Sequence, residues 1–588
     1  MDKFYRKRIK IIGGPGCGKT TKLLNILKHQ FNGGLKHDQV AMVAFARATV
    51  FHLRERAKNE LNYNEDQQKS IKTIHSYCRN KLKDWDVFTS SHKKEFKKKI
   101  KIDPENWVKI DTTLDDTEDK EEFAVWTEWE DKKLGLILQL IGLARHNMSN
   151  DLKGLINYYN LNQNHGFDKI REDEITRYYH LYTKFKKQNN LIDFEDMLHK
   201  ALHSDIIFPS YKILMVDEVQ DLSKLEWKVV AKLALGIFQG PKMERLGGSE
   251  EFYMAGDDDQ AIYHWKGCDI RIFQKWSCYQ KIILPHTHRL PKKIYTLARR
   301  VVNNIETRLG NDYECSPKKE KEEGILDTIT SLDEIENKIK VGANMIMCAR
   351  TSNKWPLFVR YLKSRGLVWK QKGSDMHGKK FISSVSDKVI KTIGDWRLLQ
   401  QGAGLEGKDV RNLISHFKED LITHGKKGAL MDTNLCPEAF KNPDNKFTFQ
   451  ELQKKYHVLA DIHKDWFDVC KFISDRVKTH KKPNALYDSL EDYNNYLKMA
   501  YDLDPTFTKT DILVSTIHGI KGMERDIVVM NTIWTWPSWK NYLAGTPQQI
   551  DEELRVAYVA ITRAKHELYL FEPLKATKSE HYFPFGNL

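Results

Sequence analysis

Gly13-Gly14-Pro15-Gly16-Cys17-Gly18-Lys19-Thr20 lies between an apolar run, Arg8–Ile12, and a stretch of helical periodicity, Thr20–His29. It fits G-x-x-x-x-G-K-[ST], a glycine turn whose backbone N–H groups curl around the α- and β-phosphates of a nucleotide. Residues Gly13, Gly14, Pro15, Gly16, Cys17, Gly18, Lys19, Thr20 and Thr21 are the expected cradle. Lys19 is expected to reach the β- and γ-phosphates, and the Thr20 hydroxyl to take a place on Mg²⁺. An ordinary glycine turn is the competing reading, and the strand–turn–helix context disfavours it.

A second run, Ile213-Leu214-Met215-Val216-Asp217-Glu218, reads as a buried strand ending in two carboxylates. Asp217 is expected to hold Mg²⁺, directly or through water, and Glu218 to orient and deprotonate an attacking water. Strands that end in an acidic turn are common. Paired with the glycine loop, this one makes the reaction class nucleoside triphosphate hydrolysis.

Working outward, short apolar, β-branched runs recur at Val40–Phe45, Phe252–Ala255, Lys281–Leu284, Met345–Cys348, Ile512–Val514, Ile527–Met530 and Leu568–Phe571. Helical patterns follow several, as in Thr49–Leu61. Strands buried on both faces and alternating with helices indicate parallel α/β sheets. The runs fall in residues 1–80 and 195–285, read as a first core, and in 286–372 and 508–575, read as a second. Residues 81–194 and 373–507 are strand-poor, charged and aromatic, and read as mainly helical insertions into two α/β cores. The first insertion carries a basic cluster, His92 to Lys101, and an acidic stretch, Asp111 to Asp131. Either is a solvated helix face or loop, and the basic one is alternatively a nucleic-acid track. Residues 576–588 form a short C-terminal tail.

The chain has 588 residues, too many for one compact core, and 30% are charged. Mean hydropathy is −0.59 and no apolar run is long enough to span a bilayer, so no membrane association is expected. The N-terminus lacks the apolar core and cleavage site of a signal peptide. A cytoplasmic place at the genome, in a bacterium or the host of a phage, is the expectation. Eight cysteines, none in a CxxC pair, point to reduced and mostly buried thiols rather than a zinc ribbon. The net charge of +15 suggests a polyanionic partner, a weak signal until joined to a phosphate-driven engine.

The residues beyond Glu218 narrow the class. Asp217-Glu218-Val219-Gln220-Asp221 resembles the DExQD box of the UvrD/Rep/PcrA helicases of superfamily 1. Thr73-Ile74-His75-Ser76-Tyr77 resembles that family's TFHSF element, and Ile192–Leu198 its DFxDLL element. Gly256–Gly267, with Gln260, Tyr263, Trp265 and Lys266, is similar to GDxDQxIYxWRGA. Thr516–Glu524 resembles TxHxxKGxE, and Arg555–Ala564 resembles RLxYVAxTRA. The boxes keep the family's order across nearly the whole chain.

This resemblance implies two RecA-like P-loop cores with ATP in the cleft between them, each core interrupted by an accessory domain. It implies that Gln260 senses the γ-phosphate, that Arg289 and Arg563 act as arginine fingers, and that Glu524 contacts the ribose. Phe45, Tyr263 and Trp265 stand where the family stacks bases, although a tryptophan at such a turn is otherwise a core residue. His75, Lys266 and His518 are either backbone contacts or satisfied structural residues. The implied activity is an ATP- and Mg²⁺-dependent helicase that translocates on single-stranded DNA, 3′ to 5′, and acts at DNA junctions. A protein loading partner is allowed by the resemblance but not specified. The alternatives are a nucleotide-gated nucleic-acid clamp and a translocase that strips proteins without unwinding.

Three departures qualify the expectation. Few residues precede the glycine loop, where the family has a glutamine that reads adenine. His288 replaces the tyrosine expected before Arg289, so other nucleotides compete with ATP. Ala44-Phe45-Ala46-Arg47-Ala48 lacks the usual TNK, and no nuclease or docking tail is expected after the last box.

Overall fold

The structure is a computed structural model. It describes residues 7–45, 47–102, 134–135, 137–149, 171–203, 206–239, 244–310, 312–341, 344–352, 354–372, 381–418, 421–422, 442, 445–470, 490–508, 510–574 and 580–587. The acidic stretch 111–131 lies outside them, as does the side chain of Trp265.

Six strands form the first sheet: β1 (Arg8–Gly13), β2 (Val40–Ala44), β3 (Ile71–Thr73), β4 (Ser210–Asp217), β5 (Gly248–Gly256) and β6 (Gln280–Leu284). Their spatial order is β6-β1-β5-β4-β2-β3, and every neighbouring pair is parallel. Alternate residues serve opposite faces, as the pleat requires. Ile11, Met42, Met215 and Ala255 join one core cluster, while Ile12, Val43, Leu214, Val216 and Met254 join another. Both faces are covered along β1, β2 and the C-terminal halves of β4 and β5, which is why these strands read as unbroken apolar runs, whereas the edge strand β6 stays partly exposed.

A parallel sheet sends the C-terminal ends of all its strands to one edge, so the loops after them gather there. The glycine loop follows β1, Phe45 follows β2, His75 follows β3, Glu218 follows β4, Asp257 follows β5 and His286 follows β6. The sheet thereby collects residues that are hundreds of positions apart.

The second sheet has seven strands: β7 (Ile325–Ile329), β8 (Asn344–Ala349), β9 (Trp369–Lys372), β10 (Phe381–Ser383), β11 (Asp511–Thr516), β12 (Arg525–Asn531) and β13 (Ala564–Phe571). Their order is β7-β13-β12-β8-β11-β9-β10. The pairs β8/β11, β8/β12 and β9/β11 are parallel, and β9/β10 is antiparallel.

By its internal contacts the chain divides into two compact units. One comprises Met1–Ile325, Trp534–Lys565 and Thr577–Leu588; the other comprises Leu326–Ile533 and His566–Ala576. Residues 286–325 and 534–565, which the sequence groups with the second core, therefore pack with the first sheet. The helix Pro547–Ile561, buried along most of its length, is part of that packing. Within the first unit, the basic cluster sits on the helix Ser90–Ile102, with Phe96 buried and Lys94 and Lys98 exposed. No described helix is long and apolar enough to cross a membrane.

Candidate nucleotide and nucleic-acid site

The glycine loop turns through two left-handed residues, Gly16 at φ 72° and Gly18 at φ 82°, a region that side chains rarely enter. A Cβ on Gly16 would also lie 2.5 Å from Cβ of Arg289. The helix Lys19–Asn32 opens directly after it, with no acidic residue in its first turn to compete for its free N–H groups. Lys19 is buried and its Nζ donates to the carbonyls of Gly13 (2.8 Å) and Gly14 (3.2 Å), folding back across the loop. Burial pushes the Cys17 thiol up to about 12, so it stays protonated. Thr21 is exposed and accepts a hydrogen bond from Arg56 at 3.0 Å.

The β4 end brings Asp217 to this loop, where Thr20 Oγ1 donates to Asp217 Oδ2 at 2.7 Å. Burial, and then the neighbouring charge of Glu218, push the Asp217 carboxyl up from 3.8 to about 6. Glu218 adopts φ 55°, a left-handed conformation that costs a non-glycine residue about 1 kcal/mol. Its amide donates to Asp217 Oδ1 at 3.0 Å.

After β5, Gln260 is buried and accepts a hydrogen bond from Arg563 Nη2 at 2.6 Å. Arg563 is itself buried and also donates through Nε to the Val559 carbonyl at 2.9 Å. Arg289 Nη1 donates to the Thr562 carbonyl at 3.0 Å. Lys19, Thr20, Asp217, Glu218, Gln260, Arg289 and Arg563 thus all belong to the first unit. Glu524 and His518 belong to the second. His518 sits on the short helix Ile517–Ile520 after β11, and Glu524 just before β12.

Asp257, Asp258 and Asp259 are buried with ligand-type oxygens within 4.8 Å of one another. Their oxygens are already engaged by the protein. Arg308 holds Asp259 through two hydrogen bonds, of 3.0 and 2.6 Å. The Leu309 amide and Gln274 donate to Asp258, and Gln260 donates to Asp257. This cluster is a braced turn.

Beyond the turn after β5, the rings of Phe45 and Tyr263 lie 5.8 Å apart. Lys266 Nζ stands 4.6 Å from the Tyr263 ring centre and 5.6 Å from that of Phe45. His75 meets Phe194 edge-on at 5.4 Å. A cavity of about 1160 Å³ joins Phe45, His75 and Lys266 to Phe51, Lys72 and Phe194. Phe51 and Phe194 are 60% and 46% exposed, so both rings are open to a ligand. At the cavity wall, burial opposes the charge of Glu195, yet the hydrogen bond and charge of His146 hold its carboxyl down to about 2.

Sequence reasoning overlooked several of these residues. Phe194 stands inside the quoted Ile192–Leu198 element, which was an available signal. Phe51, Arg308 and Tyr313 carry no motif. A Cβ on Gly14 would lie 2.4 Å from the Tyr313 ring, and the Tyr313 hydroxyl shares a 2.7 Å hydrogen bond with Tyr558.

Residues 2–279 match the family described as UvrD/REP helicase N-terminal domain. The chain is similar to a probable DNA helicase II homolog of Mycoplasma capricolum, 22% identical over 96% of this chain and 82% of the relative. It is also similar to the ATP-dependent DNA helicase Rep of Buchnera aphidicola, 24% identical over 50% of this chain and 40% of the relative. A third relative is the ATP-dependent DNA helicase PcrA of Staphylococcus epidermidis, 22% identical over 66% of this chain and 60% of the relative. The glycine loop, the acidic strand end, the Gln260 box and the matching relatives point the same way: residues 2–279 match the UvrD/REP helicase N-terminal domain family, and the chain is similar over half its length or more to proteins named DNA helicase II homolog, Rep and PcrA.

Proposed function

We propose that this chain hydrolyses ATP to move along single-stranded DNA, 3′ to 5′, and to unwind duplex DNA at junctions. In this reading the two sheets are RecA-like cores and the segments 81–194 and 373–507 are accessory insertions. The observation that carries it is the turn after β5. Gln260, bonded to Arg563, and Tyr263 and Lys266, packed on Phe45, stand within seven residues of one another. One short element touches both the hydrolytic groups and the strand groups, which is the coupling a motor needs.

Each group has a role the geometry supports. The loop amides and Lys19 bind the phosphates. Thr20 and Asp217 suit Mg²⁺, because a buried carboxylate pushed up to about 6 beside a hydroxyl is stabilised by a divalent charge. When bound, that ion neutralises charge on the phosphate oxygens. Glu218 orients the attacking water and takes its proton. Arg289 and Arg563 stabilise charge on the departing phosphates, and Glu524 contacts the ribose. Phe45, Tyr263, Trp265 and Phe194 stack on bases, while His75, Lys266 and His518 meet the backbone.

The test is ATP hydrolysis with and without single-stranded DNA, with RNA and duplex DNA in parallel and a labelled fork to report unwinding. Strong stimulation by single-stranded DNA with fork opening is the expected result. Nucleotide-dependent strand binding without turnover would make the chain a clamp. Translocation without fork opening would make it a protein-stripping motor.

A further inference from the structure

A single line of hydrogen bonds runs from Arg563 to Glu218. Arg563 Nη2 donates to Gln260 Oε1 at 2.6 Å. Gln260 Nε2 donates to Asp257 Oδ2. The Asp257 amide donates to Gln220 Oε1 at 3.1 Å, and Gln220 Nε2 donates to Glu218 Oε2. A guanidinium and a backbone N–H only donate, while an ionised carboxylate only accepts. Each glutamine therefore has one amide orientation that satisfies both of its neighbours.

The line is buried and tightly packed. Gln220 is 1% exposed and Asp257 is 1% exposed. A Cβ on Gly256 would come within 2.8 Å of Gln220 Oε1 and 2.7 Å of Val219 Cγ2. The end of β5 thus lies directly on the Gln220 amide. Glu218 sits in a left-handed backbone conformation at φ 55°, and its carboxylate accepts a hydrogen bond from Gln220.

We propose that Gln220 and Asp257 are positioning residues that join Arg563 and Gln260 to Glu218, so that the turn after β5 sets the aim of the water-activating carboxylate. This rests on the hydrolytic reading above. The same turn continues to Tyr263 and Lys266, so a shift of the strand-facing groups moves the Asp257 amide. The Gln220 amide and the Glu218 carboxylate follow. Strand engagement reaches the attacking water through this line, and an unaimed Glu218 lowers turnover without weakening nucleotide binding.

The experiment is a double-mutant cycle on the full chain, Gln220→Met with Gln260→Met, in ATP hydrolysis at saturating single-stranded DNA. Methionine keeps the length of glutamine and removes both hydrogen-bonding ends. Gln220→Met is expected to lower kcat by on the order of 10–100-fold, with KM for ATP and strand affinity within about twofold of wild type. The double variant should be no slower than the slower single, because one broken link disables the line. Independent, multiplying losses, or wild-type turnover in Gln220→Met, would overturn the relay while leaving the hydrolytic reading intact. If Gln220→Met does not fold, Gln220→Glu takes its place in the cycle; it keeps an acceptor for the Asp257 amide and loses the donor to Glu218. A wild-type chain that hydrolyses no ATP with any strand would overturn the hydrolytic reading and the relay with it.

Discussion

The proposed nucleotide side and the proposed strand side of the first unit are built on opposite physical plans. Around the glycine loop, Lys19, Asp217, Gln260 and Arg563 are all buried, and each has a specific hydrogen-bond partner. Across the turn after β5, Phe51 and Phe194 stand open beside a cavity of about 1160 Å³. Hydrolysis needs charges fixed in advance at the places where charge develops. A strand that slides needs platforms that accept any base, and aromatic faces supply that without fixed hydrogen bonds. Rigidity on one side and openness on the other are what the proposed motor would require.

The largest effects should come from the rigid side. Lys19→Ala, Glu218→Gln and Arg563→Ala are each expected to cut hydrolysis by on the order of 10²–10³-fold or more, measured by phosphate release at saturating ATP and DNA. Normal turnover in any of them would remove that residue from the engine and erase the contrast.

Asp217→Asn sharpens the comparison by separating function from stability. The Asp217 carboxyl is raised from 3.8 to about 6, so between those values the folded chain holds a proton that the unfolded chain has lost. This contribution to stability therefore falls as pH rises through that window. The variant should lose hydrolysis yet melt about 2–4 °C higher at pH 7.5. The advantage should shrink as pH falls below 6 and vanish well below 3.8, where Asp217 is protonated in both states. An unchanged or lower Tm at pH 7.5 would show that Asp217 is not held at a cost to stability.

On the open side the losses should be smaller. Trp265→Ala and Phe194→Ala are each expected to weaken single-strand binding by about 1–3 kcal/mol, read by fluorescence anisotropy. Undiminished affinity would return that ring to a packing role. Smallest of all, Lys266→Met should reduce the slope of log K against log salt by about 1, with little preference among strand sequences. A slope identical to wild type would take Lys266 off the phosphate track.

Legibility followed the same divide. The nine strand-like runs, from Arg8–Ile12 to Leu568–Phe571, all fall on strands; burial on both faces writes the apolar signature of most, while Lys281–Leu284 is a partly exposed edge strand. β3, β7, β9 and β10 were not read, since they are short and carry polar or charged residues among their apolar ones, as in Ile325-Leu326-Asp327-Thr328-Ile329 and Trp369-Lys370-Gln371-Lys372. Among the proposed site residues, Lys19 and Asp217 stand out in the sequence because phosphate chemistry demands particular residues at fixed spacing. Phe51 does not, because one exposed ring on a helix looks like any other.

By itself the sequence determined what is local: the strand runs, the glycine loop, the acidic strand end and the boxes that mark the family. Only the tertiary structure decided that residues 286–325 and 534–565 pack with the first sheet. It alone placed Arg308 on Asp259 and Arg563 on Gln260, 303 positions away in the chain. Periodicity and motif spacing record the demands of neighbours along the chain. A hydrogen bond between distant segments leaves no spacing to read, and it exists only once the parallel strands have brought their loops to one edge.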